Sequence, residues 1–127
     1  MNLEHLYEKI RRRAPQTFDL ETTQERVRIH NAAMIADWRK RFPGADSAIL
    51  EVKVHASGHS RRRLNRYREF GSVRGGVPGL LVIRKPINFN EILDFQIVEI
   101  IAAAARAEVL DVEWGLLTVS EALTTTP

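Results

Sequence analysis

Cysteine is absent from this chain of 127 residues, and its absence excludes several kinds of site. Without thiols the protein has no disulfide bonds, no thiolate-bound zinc and no cysteine nucleophile. A chain without cysteine suits a reducing compartment, and the charged N-terminal residues 1–8 lack the apolar core of a secretory signal. We therefore predict a cytoplasmic protein.

Long apolar runs are missing as well. The most apolar stretch, residues 92–107, is shorter than a bilayer span and is interrupted by Asp94, Gln96 and Glu99. We therefore expect no membrane partner. The glycine-rich residues 71–76 match neither a phosphate-binding P-loop nor a dinucleotide-binding fingerprint, so we also expect no cofactor.

Acidic residues are scarce in one part of the chain. Residues 57–76 carry six arginines and one acid. The net charge is +9 over residues 1–86 and −6 over residues 87–127, although the whole chain has a net charge of only +3. Guanidinium groups match phosphate oxygens in geometry and in charge, so this pattern favours a phosphate-bearing partner.

The arginine-rich segment therefore predicts a small basic protein that binds nucleic acid mainly by electrostatic, salt-sensitive contacts. In this interpretation the arginines contact phosphates and the tyrosine stacks on a base. The predicted contact residues are Arg61, Arg62, Arg63, Arg66, Tyr67, Arg68 and Arg74. The alternative is a non-enzymatic assembly component, in which the basic segment docks on an acidic protein surface such as residues 91–121 of a neighbouring subunit.

Hydrophobic periodicity predicts an α/β (α+β) fold, a two-layer sandwich in one domain over residues 1–127. N-terminal helices and one long apolar helix are expected to pack on a mixed sheet of three or four strands. Predicted helices cover residues 3–13, about 22–41 from a capping box at Thr22–Glu25, and 89–107; predicted strands cover residues 48–55, 80–84 and 112–116. The pattern leaves residues 61–70 as helix or strand, with helix slightly favoured, and predicts a mobile loop over 71–79. Residues 1–21 form an N-terminal helix and connector, 22–123 the core, and 124–127 a frayed tail.

The helix predicted over residues 89–107 has few polar positions. In a domain of this size one helix is rarely covered on all sides by its own chain, so a homo-oligomer interface through 89–107 explains the excess. Burial beneath the two N-terminal helices is the other explanation. The sequence leaves both explanations open.

A third interpretation rests on Glu51-Val52-Lys53, which resembles the catalytic strand of the PD-(D/E)xK nuclease family. The resemblance implies that Glu51 binds a divalent metal and that Lys53 helps to activate water, with Asp46 as a candidate for the upstream acid. Asp46 fits poorly, because the family places that aspartate on a separate strand. We favour a non-enzymatic function over an enzyme. His55 lies at the end of a predicted strand and His59 lies in a predicted loop, so we predict that they form no metal site.

Overall fold

The computed structural model describes residues 3–55, 67–77, 80–107 and 111–124. The helices are α1 (Leu3–Arg13), α2 (Leu20–Arg41), α3 (Glu91–Arg106) and α4 (Val119–Thr124), and the strands are β1 (Ser47–His55), β2 (Ser72–Val77), β3 (Leu80–Asn88) and β4 (Asp111–Leu117). A short 3-10 helix, Arg68–Phe70, precedes β2. The fold is α+β, as the hydrophobic pattern predicts. None of the helices in the described ranges is long and apolar enough to cross a membrane.

The four strands form one sheet in the order β2-β3-β1-β4. β1 pairs with β3 and with β4, and β2 pairs with β3, always antiparallel. The mixed sheet expected from the sequence is thus corrected to an antiparallel one. The reason is that β1 lies between β3 and β4, so these two strands run parallel to each other without being neighbours.

One face of the sheet carries the core. Leu50, Val52 and Val54 of β1 alternate with polar residues, and all three are buried against the helices. Trp114 lies opposite Val52 in the register and extends the same apolar face into β4. The alternation in β1 predicted this single buried face, and the N-terminal helices pack over it.

The apolar circumference of α3 is covered by the chain itself. α1 and α2 both contact α3, and the side chains of Leu93, Ile97 and Val98 are buried. The large hydrophobic side chains that are exposed in the described ranges, Ile29, Phe42, Val119 and Leu123, all lie outside α3. Burial beneath the N-terminal helices therefore accounts for the apolar composition of α3. A homo-oligomer through residues 89–107 stays a prediction, but the apolar composition of the helix no longer supports it.

The start of α2 differs from the capping box expected at Thr22–Glu25. The helix begins at Leu20, and the carboxylate of Asp19 accepts a hydrogen bond from the backbone N–H of Thr22 at 3.0 Å. Aspartate is as good a capping residue as threonine, and here it satisfies one of the free amides of the first turn. Helix α3 is capped by Asn90, whose Oδ1 accepts from the N–H of Ile92.

Residues 72–77 form strand β2, so the mobile loop predicted over 71–79 is wrong for this part. The register pairs Ser72 with Arg84 and Val77 with Leu80, and it shifts between Arg74 and Val77. Glycine has no side chain and so gives a strand no alternating pattern in the sequence. Glycines also commonly mark register shifts of this kind, which are β-bulges. Pairing with β3 decides the structure here, against the local preference of the residues.

Strand β3 extends beyond the predicted 80–84 to Asn88 and includes Pro86. Proline cannot donate a ladder hydrogen bond and is tolerated where one side of a strand is open. Pro86 lies opposite Ile49 of β1, and the pairing with β2 ends at Arg84. The strand can therefore continue through the proline.

Helix α4 was not predicted. Thr118 Oγ1 accepts from the N–H of Glu121, and Glu121 Oε1 accepts from the N–H of Thr118, both at 3.0 Å. This reciprocal pair is a capping box, and its Thr-x-x-Glu signature is present in the sequence. The short element contacts β1 and β4 at one end of the sheet.

Candidate basic site

The predicted contact residues fall into three groups. Arg61, Arg62, Arg63 and Arg66 lie outside the described residues. Arg68 is exposed on the 3-10 helix, and the backbone of Arg74 lies in β2 opposite Val82. Tyr67 lies in the core.

Tyr67 is not available for base stacking. Its side chain is 0% exposed, and its ring packs near Phe70 with the centroids 6.3 Å apart. A base needs an open face of the ring. The prediction that Tyr67 stacks on a base is therefore corrected: this tyrosine anchors the middle of the arginine-rich segment in the core.

A cavity of about 130 Å³ joins the middle of this segment to basic residues of two helices. Phe70, two residues after Arg68, lines the cavity together with Lys9 and Arg13 of α1 and Arg106 of α3. Glu99 is an acid in the same lining. We call this opening the small cavity.

The packing of α1 on α3 explains why these basic groups meet. Tyr7 and Phe95 contact edge to face, with ring centroids 5.3 Å apart. Burial raises the pKa of the Tyr7 hydroxyl, with a further contribution from the negative charge of Asp94, while a hydrogen bond with Gln24 lowers it. The contact sets α1 against α3, with Arg13 and Arg106 in one cavity lining.

The arginines of α1 and α3 differ in whether they form ion pairs with acidic side chains. Arg11 pairs with Glu8 at 2.5 Å and also with Glu21. Among the described residues, neither Arg13 nor Arg106 forms an ion pair. Their charge is therefore available to an external anion.

A second opening, of about 710 Å³, shares Arg13 and Arg106 with the small cavity, and we call it the large cleft. Arg26 of α2 also lines it, as does Asp19. The guanidinium of Arg26 lies 5.6 Å from the ring centroid of Trp114 and donates to the carbonyl of Val112 at 3.5 Å. These contacts hold one of the three arginines in place.

Sequence reasoning missed Arg106. It is the one basic residue after residue 86, and the charge balance assigned it to the acidic part of the chain. The signal was its isolation among acids, but only the packing of α1 on α3 brings it beside Arg13.

Glu51, the metal-binding candidate of the nuclease interpretation, forms an ion pair with Arg84. Glu51 Oε2 accepts from Arg84 Nε at 2.9 Å and from Arg84 Nη2 at 2.8 Å, and both side chains are largely buried, at 15% and 13% exposed. The ammonium of Lys53 lies 3.9 Å from the other oxygen of Glu51. Each oxygen of Glu51 thus faces a cationic side chain, Oε2 that of Arg84 and Oε1 that of Lys53.

Asp46 does not complete a metal site. It precedes β1, and five residues of extended chain separate it from Glu51 by roughly 16 Å. His55 pairs instead with Glu113, at 3.1 Å. Within the described ranges, no cluster of three or more histidine or acidic side chains is arranged to hold a metal ion.

Comparisons with known proteins give no further identification: no protein-family model, no curated protein and no solved structure matches this chain. The arguments below therefore rest on the residues alone.

Proposed function

We propose that the protein binds nucleic acid through a basic surface that runs from the arginine-rich segment to Arg13 and Arg106. The observation that supports this is the lining of the small cavity, where Phe70 of the arginine-rich segment meets basic residues of α1 and α3. Two elements far apart in sequence thus place positive charge beside the segment. A polyanion gains from such clustering because each neutralised phosphate releases counterions.

The described geometry favours contacts to the phosphate backbone over the reading of bases. With Tyr67 buried, the described part of the segment offers no ring for stacking. Arg68 and Arg13 are exposed, and exposed guanidinium groups bind phosphate oxygens without distinguishing sequences. We therefore expect affinity to fall steeply with salt and to depend weakly on base composition.

The test is fluorescence anisotropy with labelled single-stranded and duplex oligonucleotides, in DNA and RNA forms, over a range of salt concentrations. The test variant combines Arg61→Ala, Arg62→Ala and Arg63→Ala. We expect weaker binding, and a slope of log affinity against log salt that is flatter by about 3 if each arginine contacts one phosphate.

The matched control removes the same charge elsewhere, through Arg28→Gln, Arg39→Gln and Lys40→Gln. Two of these residues lie near the C-terminal end of α2, about 20 Å along the helix axis from Arg26. The control is expected to keep most of the affinity. Equal losses in both triple variants, or no binding by the unaltered protein, would refute the proposal. A salt-sensitive oligomer free of nucleic acid would instead support the assembly component.

A further inference from the structure

We propose that the large cleft is a binding site for a phosphate group, held by Arg13, Arg26 and Arg106. This goes beyond the proposed function, which shares Arg13 and Arg106 with the cleft but rests on the arginine-rich segment and the small cavity. The cleft has a volume of about 710 Å³, within the range of about 300–1,000 Å³ that is usual for ligand sites. It combines three guanidinium groups with an apolar wall.

The positive charge of the cleft is only partly compensated. Arg13 and Arg106 have no ion pair among the described residues, and Arg26 is engaged only with a carbonyl and an aromatic face. Asp19 is the acid in the lining, and its carboxylate accepts from the N–H of Thr22. Three cations against one carboxylate favour an anion with more than one negative charge.

Preorganisation supports this choice of ligand. The stacking of Arg26 over Trp114 fixes one fork of donors before any ligand arrives, which reduces the entropy lost on binding. Phe18, Ile101 and Val112 form apolar parts of the wall. Apolar walls lower the local dielectric and so strengthen the interaction between guanidinium and phosphate.

The phosphate has two possible sources, the backbone of a bound nucleic acid or a free phosphorylated ligand. Both present the same tetrahedral anion to the arginines, so the structure defines the chemistry of the ligand. Competition between the two sources separates them experimentally.

The experiment is a titration of the full chain with pyrophosphate, followed by the indole N–H signals in NMR. The chain has two tryptophans, and Trp114 lies beneath Arg26 whereas Trp38 lies at the other end of α2. We expect a saturable shift of the Trp114 signal and no shift of the Trp38 signal. Trp38→Phe assigns the two signals.

Arg13→Ala is the test variant and Arg12→Ala its matched control. Both residues are exposed in the last turn of α1, but Arg13 lines both openings and Arg12 lines neither. Loss of one charge-assisted contact should weaken pyrophosphate binding by about tenfold in Arg13→Ala, with a change below about twofold in Arg12→Ala. Arg106→Ala should match Arg13→Ala.

An unmoved Trp114 signal at saturating pyrophosphate, or equal weakening in the Arg12 and Arg13 variants, would overturn the proposal. If an oligonucleotide displaces pyrophosphate, the backbone is the source; if both bind together, the ligand is a free phosphorylated molecule. The variant altered at Arg61, Arg62 and Arg63 should still bind pyrophosphate. Its behaviour therefore separates failure of the cleft from failure of the proposed function.

Discussion

The indole of Trp114 and the amide of Asn31 are joined by a hydrogen bond of 2.7 Å, from Nε1–H to Oδ1. Asn31 donates in turn from Nδ2 to Oδ1 of Asp94, at 2.6 Å. Asn31 is only 2% exposed and is the buried polar residue of the described ranges. One side chain thus ties α2 to β4 and to α3.

Asn31→Ala should destabilise the protein by about 2–4 kcal/mol. The change leaves the Trp114 N–H without its acceptor and removes a donor from Asp94, and buried groups without partners are costly. Urea denaturation followed by circular dichroism measures the effect. A double-mutant cycle with Trp114→Phe should give a coupling energy of about 1 kcal/mol or more. Additive losses would show that the hydrogen bond contributes little.

Three glycines should respond to alanine in a graded way. At Gly71 a Cβ would lie 2.7 Å from the carbonyl oxygen of Arg84, and the φ of 150° is itself unfavourable for alanine, so we expect a loss of about 2–4 kcal/mol. Gly44 has a φ of 78° but open space, and about 1 kcal/mol is expected. Gly115→Ala meets nothing within 4 Å and should be neutral or slightly stabilising. Equal effects in thermal unfolding would contradict this ordering.

The pair of Glu51 and Arg84 should govern stability. Arg84→Met leaves a largely buried carboxylate without its partner and removes the 2.8 Å bond to the carbonyl of Ala122, so we expect a loss of about 2–4 kcal/mol. Lys53→Met, at a more exposed position, should change stability by less than about 1 kcal/mol. A purified sample that cleaves DNA with added Mg²⁺, and loses the cleavage on Glu51→Gln without unfolding, would contradict a purely structural role for Glu51.

Acid should remove the contribution of the α2 cap. The hydrogen bond from the N–H of Thr22 lowers the pKa of Asp19 below its ordinary value of 3.8, so the stabilisation is complete above that pH. The charge-dependent part of it disappears as the pH falls through the lowered pKa. At pH 7, Asp19→Ala should unfold a few degrees below the unaltered protein, and the difference should narrow in acid, where the neutral carboxyl caps only through its carbonyl oxygen.

Asp19→Asn is the control for this titration, because its amide oxygen caps the helix at any pH. Its advantage over Asp19→Ala should stay constant as the pH falls. Thermal unfolding between pH 7 and pH 2 measures all three proteins. A difference between aspartate and alanine that is as large at the lowest pH as at pH 7 would contradict the electrostatic account.

The parts of the fold that the sequence predicted are those determined by local pattern. Apolar spacing located α1 at Leu3–Arg13, and alternation located β1 with its buried Leu50, Val52 and Val54. β2 was missed because its glycines carry no such pattern and its pairing with β3 supplies the order. The position of β1 between two strands that follow it in the chain depends on non-local pairing, which no local window contains.

The candidate site was predictable in charge but not in place. The arginines could be counted, whereas the meeting of Arg13 with Arg106 depends on the contact of Tyr7 with Phe95 between α1 and α3. The burial of Tyr67 could not be predicted, because the pattern of residues 61–70 fits a helix only slightly better than a strand and does not show which face is covered. Long-range packing fixes both outcomes.

The outer edge of β4 is occupied by side chains of α2. His30 Nε2 donates to the carbonyl of Trp114 at 3.1 Å, and Arg26 donates to the carbonyl of Val112. Another strand cannot add there without displacing them. Helix α2 therefore protects this edge of the sheet from pairing with a further strand, in addition to packing against α3.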